Sequence, residues 1–264
     1  MMGATSLSGR TALVTGGDGG VGGPLALALA KAGADLIIHH CGNEDGGRHV
    51  AEEARAMGRS ATVHEADFQD KGAAEALART VLCDGGRVDI LVASAAIEHR
   101  RPWEDADADH VARHVAANFT SLLDLCRILV PPMGARGWGR VLAIGSILAT
   151  RPRAETVVYA ALKSAQLTAI AALARDVAPL GVTLNVLSPG AIRTDRNTRN
   201  YEDKAFHAAV VAKIPIGRPG TAEDLTGPAL LLCSDAAGYV TGINLPVDGG
   251  WGIGDPSGSL PTPS

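Results

Sequence analysis

The chain has 264 residues and a formal net charge of −4, with 46% hydrophobic and 3% aromatic residues. So much apolar material excludes a largely disordered polypeptide. Mild acidity without a Lys/Arg block argues against a nucleic-acid partner, and so few aromatics argue against a stacking platform for single strands. The 32 glycines keep no three-residue period, which excludes collagen and points to loops where the backbone must come close to something.

In chain order, short β-type runs alternate with longer helical ones. TALVT (11–15) reads as a buried strand, 24–31 as a helix, DLIIHH (35–40) as a strand and 47–57 as a helix. Residues 61–65 form a third strand, 71–82 a helix, 88–93 a fourth strand and 108–129 a long helix. RVLAIG (140–145) is a fifth strand, 157–177 a helix, VTLNVL (182–187) a sixth strand, 200–212 and 223–233 helices, and 244–247 a last strand. Strict alternation of this kind predicts a single-domain, doubly wound α/β fold of the Rossmann type, with a mostly parallel seven-stranded sheet and helices on both faces. Residues 1–253 form that domain, with 191–215 as a substrate lid, and the Gly/Pro/Ser tail 254–264 is expected to be mobile.

Cys41, Cys83, Cys126 and Cys233 are scattered, with no metal-ligand spacing, and are expected to be reduced. The polar start lacks a signal-peptide core, and no uninterrupted apolar run approaches a membrane span. A cytoplasmic protein without a membrane or nucleic-acid partner is the expectation. His110 and His114 stand four apart, but no Glu follows His110 as a zinc-protease helix requires, so no metal is expected.

The first strand runs into Thr15-Gly16-Gly17-Asp18-Gly19-Gly20-Val21-Gly22, and a helix follows. Glycines at a first β–α turn let a pyrophosphate reach backbone N–H groups at a helix N-terminus. This T-G-x-x-x-G-x-G spacing resembles the short-chain dehydrogenase/reductase family, and the likeness extends from Gly9 to about Gly252. It implies cofactor contacts from Gly16, Asp18, Gly20, Val21, Gly22, Asp67, Phe68 and Ala95, and from Pro189, Gly190, Ile192 and Thr194 in the Ser188-Pro189-Gly190 segment. The stretches 214–220 and 247–250 resemble bacterial 3-oxoacyl-reductase-like members. Two departures stand out: the family's N-N-A-G reads Ala93-Ser94-Ala95-Ala96, and its basic loop residue is Gly19.

An acid at the end of the second strand would hold the ribose 2′-OH of NAD, but His39-His40-Cys41 stand there. Nothing at that spot repels a 2′-phosphate, and a histidine can hydrogen-bond one. The cofactor is therefore expected to be NADP(H), otherwise NAD(H).

Tyr159 and Lys163 lie four apart on a predicted helix and share a face. An ammonium near a phenol favours the phenolate and lowers its pKa from about 10. Ser146, at the end of the fifth strand, points to the same crevice at the carboxyl ends of the strands, although a hydroxyl there also suits an N-cap. In the resembled family Ser…Tyr-x-x-x-Lys is the active site: serine holds the substrate oxygen, tyrosine transfers the proton, and lysine binds nicotinamide ribose and tunes the tyrosine. Asn118 matches the helix asparagine that there holds a water for proton relay. The implied activity is hydride transfer between a nicotinamide cofactor and a carbonyl or secondary alcohol.

Glu98, Glu155, Arg193 and Arg196 are the candidate substrate residues; Arg193, Arg196 and Arg199 would share one side if the lid were helical. The polar lid favours a small polar keto or hydroxy compound. The alternatives are a 3-oxoacyl-carrier-protein reductase and, of another class, a non-catalytic cofactor sensor or scaffold. Apolar stretches 108–129 and 157–177 exceed what one sheet face needs, and by the resemblance imply a homotetramer or homodimer.

Overall fold

A computed structural model describes residues 5–83, 86–195 and 197–254. The strands are β1 (Thr11–Thr15), β2 (Asp35–His40), β3 (Ala61–Glu65), β4 (Ile90–Ala93), β5 (Gly139–Ile144), β6 (Val182–Pro189), β7 (Ile192–Arg193), β8 (Gly220–Thr221) and β9 (Asn244–Val247). The helices are α1 (Gly22–Lys31), α2 (Glu44–Ala56), α3 (Ala73–Cys83), α4 (Ala108–Val115), α5 (Ser121–Ala135), α6 (Val157–Val177), α7 (Thr198–Glu202), α8 (Lys204–Val211) and α9 (Glu223–Leu232). Seven strands form one sheet in the order β3-β2-β1-β4-β5-β6-β9, with every pairing parallel. The expected doubly wound sheet is formed.

The strands read as apolar runs rather than alternations because both faces of the sheet are covered. Ala12, Val14, Ile90 and Val92 face one core with Leu25, Leu29, Val50 and Leu225. Leu13 and Leu91 face the other, with Leu77, Leu125, Leu129 and Ile170. Helices α1, α2 and α9 therefore cover one face, and α3, α5 and α6 the other.

Three departures from the sequence expectation are local. The long helix does not stop before the prolines: it carries Pro131 and Pro132 in its last turns, with Met133 fully buried beyond them. It is also interrupted by a π-helical turn at Ala116–Thr120. The helix expected over 200–212 is split into the short α7 and α8, which follow β7 after it pairs with β8. Helix α6 lies within 154–180, a stretch long and apolar enough by length and composition to cross a membrane. Its inner side packs on β6 and holds Lys163, Gln166, Ile170 and Ala174 in the interior. The tail beyond Gly254 and Arg196 lie outside the described residues.

Candidate active site

The glycine loop occupies the turn between β1 and α1. Gly16 (φ +62°) and Gly20 (φ +55°) adopt left-handed backbone that side chains disfavour. A Cβ on Gly16 would stand 3.1 Å from Ala95 Cα, and one on Gly22 would overlap the Gly16 carbonyl, so the loop closes only with glycine there. Around Gly19 and Gly20 the space is open. The first turn of α1, which Val21 precedes, carries no acid, so its positive end is left for an anion. These features fit a dinucleotide pyrophosphate.

Three neighbours brace this loop. The Thr15 hydroxyl accepts the N–H groups of Ser94 and Ala95, both at 3.1 Å, in the stretch where the family pattern carries two amide side chains that this chain lacks. Asn43, the N-cap of α2, donates to the Asp18 carboxylate at 2.9 Å. His39 accepts the Gly16 N–H on Nδ1 (3.1 Å) and donates from Nε2 to the Ala66 carbonyl (2.9 Å) while stacking on Phe68.

His39 therefore corrects the sequence expectation: both ring nitrogens serve the backbone, so neither is free for a phosphate. Burial lowers its pKa to about 4, which keeps it neutral. His40 is buried against Gly47 of α2, and its Nδ1 has no hydrogen-bond partner among the described residues. Asp67 turns its carboxylate onto the Gln69 N–H at 2.8 Å.

On the other side of β1, the ends of β4, β5 and β6 bring the remaining candidates together. Ser146 leaves β5 in extended conformation, and its hydroxyl accepts the Leu148 N–H at 3.1 Å, so the N-cap reading of this residue also holds. Asn118 lies in the π-helical turn, completely buried. Its side chain accepts the Ile97 N–H (2.8 Å) and donates to the Ile97 carbonyl (2.9 Å), fixing the loop after β4. Lys163 is buried on α6, with Nζ 2.6 Å from the Ile144 carbonyl, 3.2 Å from Gln166 Oε1 and 5.5 Å from the centre of the Tyr159 ring. Gln166 donates in turn to the backbone carbonyl of Asn118.

The electrostatics differ from the expectation of a phenol made acidic by its amine. Burial raises the Tyr159 pKa above its ordinary value, and Glu98 adds to that, while the Ser146 hydroxyl opposes it. Burial also pulls the Lys163 ammonium down to about 8, against the pull of Glu98. The lysine is turned to Ile144 and Gln166, and its charge is not what sets the phenol in this state.

Beyond β6, Gly190 donates to the Val247 carbonyl, and a Cβ there would meet Asp248 at 2.7 Å. Pro189 and Ile192 are buried, and Thr194 is held by Asn197, which accepts the Thr194 N–H and donates to the Ile192 carbonyl. Arg193 lies on β7 and Arg199 on α7, so the arginines do not form one helical row. Glu98 pairs with Arg100 at 2.8 Å, and Glu155 with Arg153 at 3.1 Å. Sequence reasoning missed Gln166 and Asn197, which look like ordinary polar residues until their neighbours are known. Among the described residues, no group of His, Cys, Asp or Glu could hold a metal ion.

A parallel sheet with a glycine loop after its first strand, and Ser, Tyr and Lys at the carboxyl ends of its later strands, defines a dinucleotide-linked oxidoreductase. Residues 16–252 match the family model described as enoyl-(acyl carrier protein) reductase. The chain is 38% identical to a 2-dehydro-3-deoxy-D-gluconate 5-dehydrogenase from Pseudoalteromonas atlantica, over 93% of this chain and 97% of that one. A 3-oxoacyl (acyl-carrier-protein) reductase from Agrobacterium tumefaciens, solved with NADP bound, superposes with a TM-score of 0.89 at 35% identity, covering 94% of this chain and 96% of the other. A gluconate 5-dehydrogenase from Burkholderia cenocepacia, solved with NADP and tartrate, gives a TM-score of 0.89 at 31% identity, over 96% and 99% of the two chains. The chain belongs to the short-chain dehydrogenase/reductase family of oxidoreductases.

Proposed function

We propose that this enzyme interconverts a secondary alcohol and a ketone on a small, hydroxyl-rich acid of the sugar-acid type, with NADP(H) as its preferred cofactor and NAD(H) as the alternative. The observation that carries the reading is the convergence of Ser146, Tyr159 and Lys163 at the carboxyl edge of the sheet, with Asn118 tied to Lys163 through Gln166. Likeness to gluconate-type dehydrogenases supports the substrate class. The absence of a carboxylate among residues 39–41, together with NADP in the related structures, supports the cofactor.

A bound nicotinamide would supply the hydride chemistry at the substrate carbon. The Ser146 hydroxyl orients the substrate oxygen, and Tyr159 Oη passes it the proton or removes it. Lys163 stabilises the phenolate and would hold the cofactor ribose. The carbonyls of Asn118 and Ile144 and the Gln166 amide guide the lysine. General acid–base help of this kind contributes ~10²–10⁴ in rate. The Gly16–Gly22 loop takes the pyrophosphate, Asp67 and Phe68 flank the adenine, Ala95 packs against the loop, and Pro189, Gly190, Ile192 and Thr194 line the nicotinamide side. Glu98, Glu155 and Arg193 face the substrate; Arg196, the fourth candidate, lies outside the described residues.

In this reading residues 1–253 work as one domain, with 191–215 closing over the substrate. The exposed sides of α4, α5 and α6 pack against a second copy in a cytoplasmic homotetramer or homodimer, without nucleic acid or membrane. The apolar outer side of α6 supports this assembly.

A panel of D-gluconate, 2-dehydro-3-deoxy-D-gluconate, polyols and 3-oxoacyl thioesters, followed by nicotinamide absorbance with each cofactor, tests the proposal. Turnover of sugar acids with a higher kcat/KM for NADP(H) is expected, and a clear preference for NAD(H) overturns the cofactor reading. Turnover of thioesters alone selects the second reading, a 3-oxoacyl-carrier-protein reductase, which the 35% identical Agrobacterium enzyme and exposed Arg100, Arg193 and Arg199 favour. A cofactor sensor without catalysis would bind the cofactor and turn over nothing; the intact Ser-Tyr-Lys set speaks against it.

A further inference from the structure

Beside Tyr159 lies a small cleft, partly open to solvent, whose far side is made of residues that the mechanism above does not use. His99, Arg101, Trp103, His110, Glu155 and the first turn of α6 line it. His110 and His114 are the pair whose spacing was set aside for zinc, and the structure gives them other surroundings. His114 is fully engaged: it accepts the His99 N–H on Nε2 (3.2 Å) and donates from Nδ1 to the His110 carbonyl (2.8 Å). That clamps the loop after β4 onto α4.

His110 stacks on His114 and is only 3% exposed, yet its Nδ1 has no hydrogen-bond partner among the described residues. A buried polar atom left unpaired costs free energy that a bound group restores. Arg101 lines the same cleft and, among the described residues, its guanidinium donates through Nη1 alone, to the Asp105 carbonyl at 3.1 Å and distantly to Asp107 at 3.5 Å. Its other N–H groups remain to be filled.

We propose that this cleft receives the carboxylate of the substrate, with Arg101 as its charged partner and His110 and His99 as further donors. The charge balance is consistent with that assignment. Glu155 is paired with Arg153, Asp109 with Arg113, and Glu98 with Arg100, while Asp107 caps α4 through the His110 N–H. Arg101 is the cation of the cleft whose acidic contact is long. The apolar side chains of Trp103, Val157 and Val158 also line the cleft and can contact a short carbon chain. The proposal rests on the sugar-acid reading above and adds the end of the molecule by which the substrate is recognised.

The test compares D-gluconate with D-glucitol, which carries a hydroxymethyl group in place of the carboxylate, in the wild type, Arg101→Met and His110→Gln. The gluconate-to-glucitol ratio of kcat/KM is expected to fall about tenfold or more in Arg101→Met, the size of one lost charge-assisted hydrogen bond, and by less in His110→Gln. A ratio that stays within threefold in Arg101→Met overturns the proposal. A second measurement does not depend on turnover: acetate titrated into the wild-type protein should shift the His110 ring resonances, assigned by their loss in His110→Gln, and should leave them still in Arg101→Met. If gluconate is not oxidised but acetate moves His110, the substrate reading fails and the anion site stands. If acetate leaves His110 unmoved in the wild type, the site is overturned.

Discussion

Gln166 and Asn118 are joined across two helices: the Gln166 amide donates to the Asn118 backbone carbonyl while its oxygen accepts from Lys163 Nζ at 3.2 Å. One side chain thus fixes both the π-helical turn and the lysine. Gln166→Leu should leave a buried carbonyl unpaired and the ammonium short of an acceptor, at a stability cost of about 1–3 kcal/mol. A fall in kcat of about tenfold should accompany it, measured by urea unfolding and steady-state kinetics. Unchanged kcat with lowered stability would make Gln166 purely structural.

Tyr159→Phe removes one oxygen from a partly buried ring and should abolish turnover, a loss of at least ~10²-fold. Cofactor affinity, read by fluorescence titration, should change less than threefold. Near-wild-type turnover would refute the assignment of the proton donor.

The protonation of His39 sets an acid limit. Its folded pKa of about 4 lies below the ordinary 6.5, so the unfolded chain takes the proton first. The stability this residue supplies is complete above about pH 6.5 and drains away as pH falls towards 4, ~3 kcal/mol in all. In His39→Gln the loss of unfolding free energy between pH 7 and pH 4.5 should be smaller than in the wild type. Equal losses would show that another group governs the acid side.

Gly22→Ala places a methyl group on the Gly16 carbonyl, against backbone that cannot swing aside. The variant should lose cofactor binding at least tenfold and unfold at a lower temperature, as checked by calorimetry with and without NADPH. Retained affinity would mean that the loop can open without harm.

The sheet was legible in the sequence because both of its faces are buried, so each strand is an unbroken apolar run such as Leu36–Ile38 or Val141–Ile144. The glycine loop and the Tyr159/Lys163 pair were legible because their spacing is the chemistry. What the sequence hid depends on partners distant in the chain. The π-helical turn at Asn118 leaves no mark on periodicity. His39 meets Gly16 and Ala66 only after β1, β2 and β3 align, and the β7–β8 pairing joins residues 28 positions apart. The phenol's raised pKa was equally hidden, because burial outweighs a nearby amine that faces another acceptor.

The sheet order places β1 beside β4, with β2 and β3 to one side and β5, β6 and β9 to the other. The glycine turn and the residues around His39, Asp67 and Phe68 are therefore encoded upstream of β4, whereas Asn118, Ser146, Tyr159, Lys163 and the Pro189–Thr194 stretch are encoded downstream of it. In the proposed reading, coenzyme choice and reaction chemistry thus occupy consecutive blocks of the gene rather than interleaved ones. A chimera spliced in the 83–90 interval would carry one parent's coenzyme preference with the other's substrate.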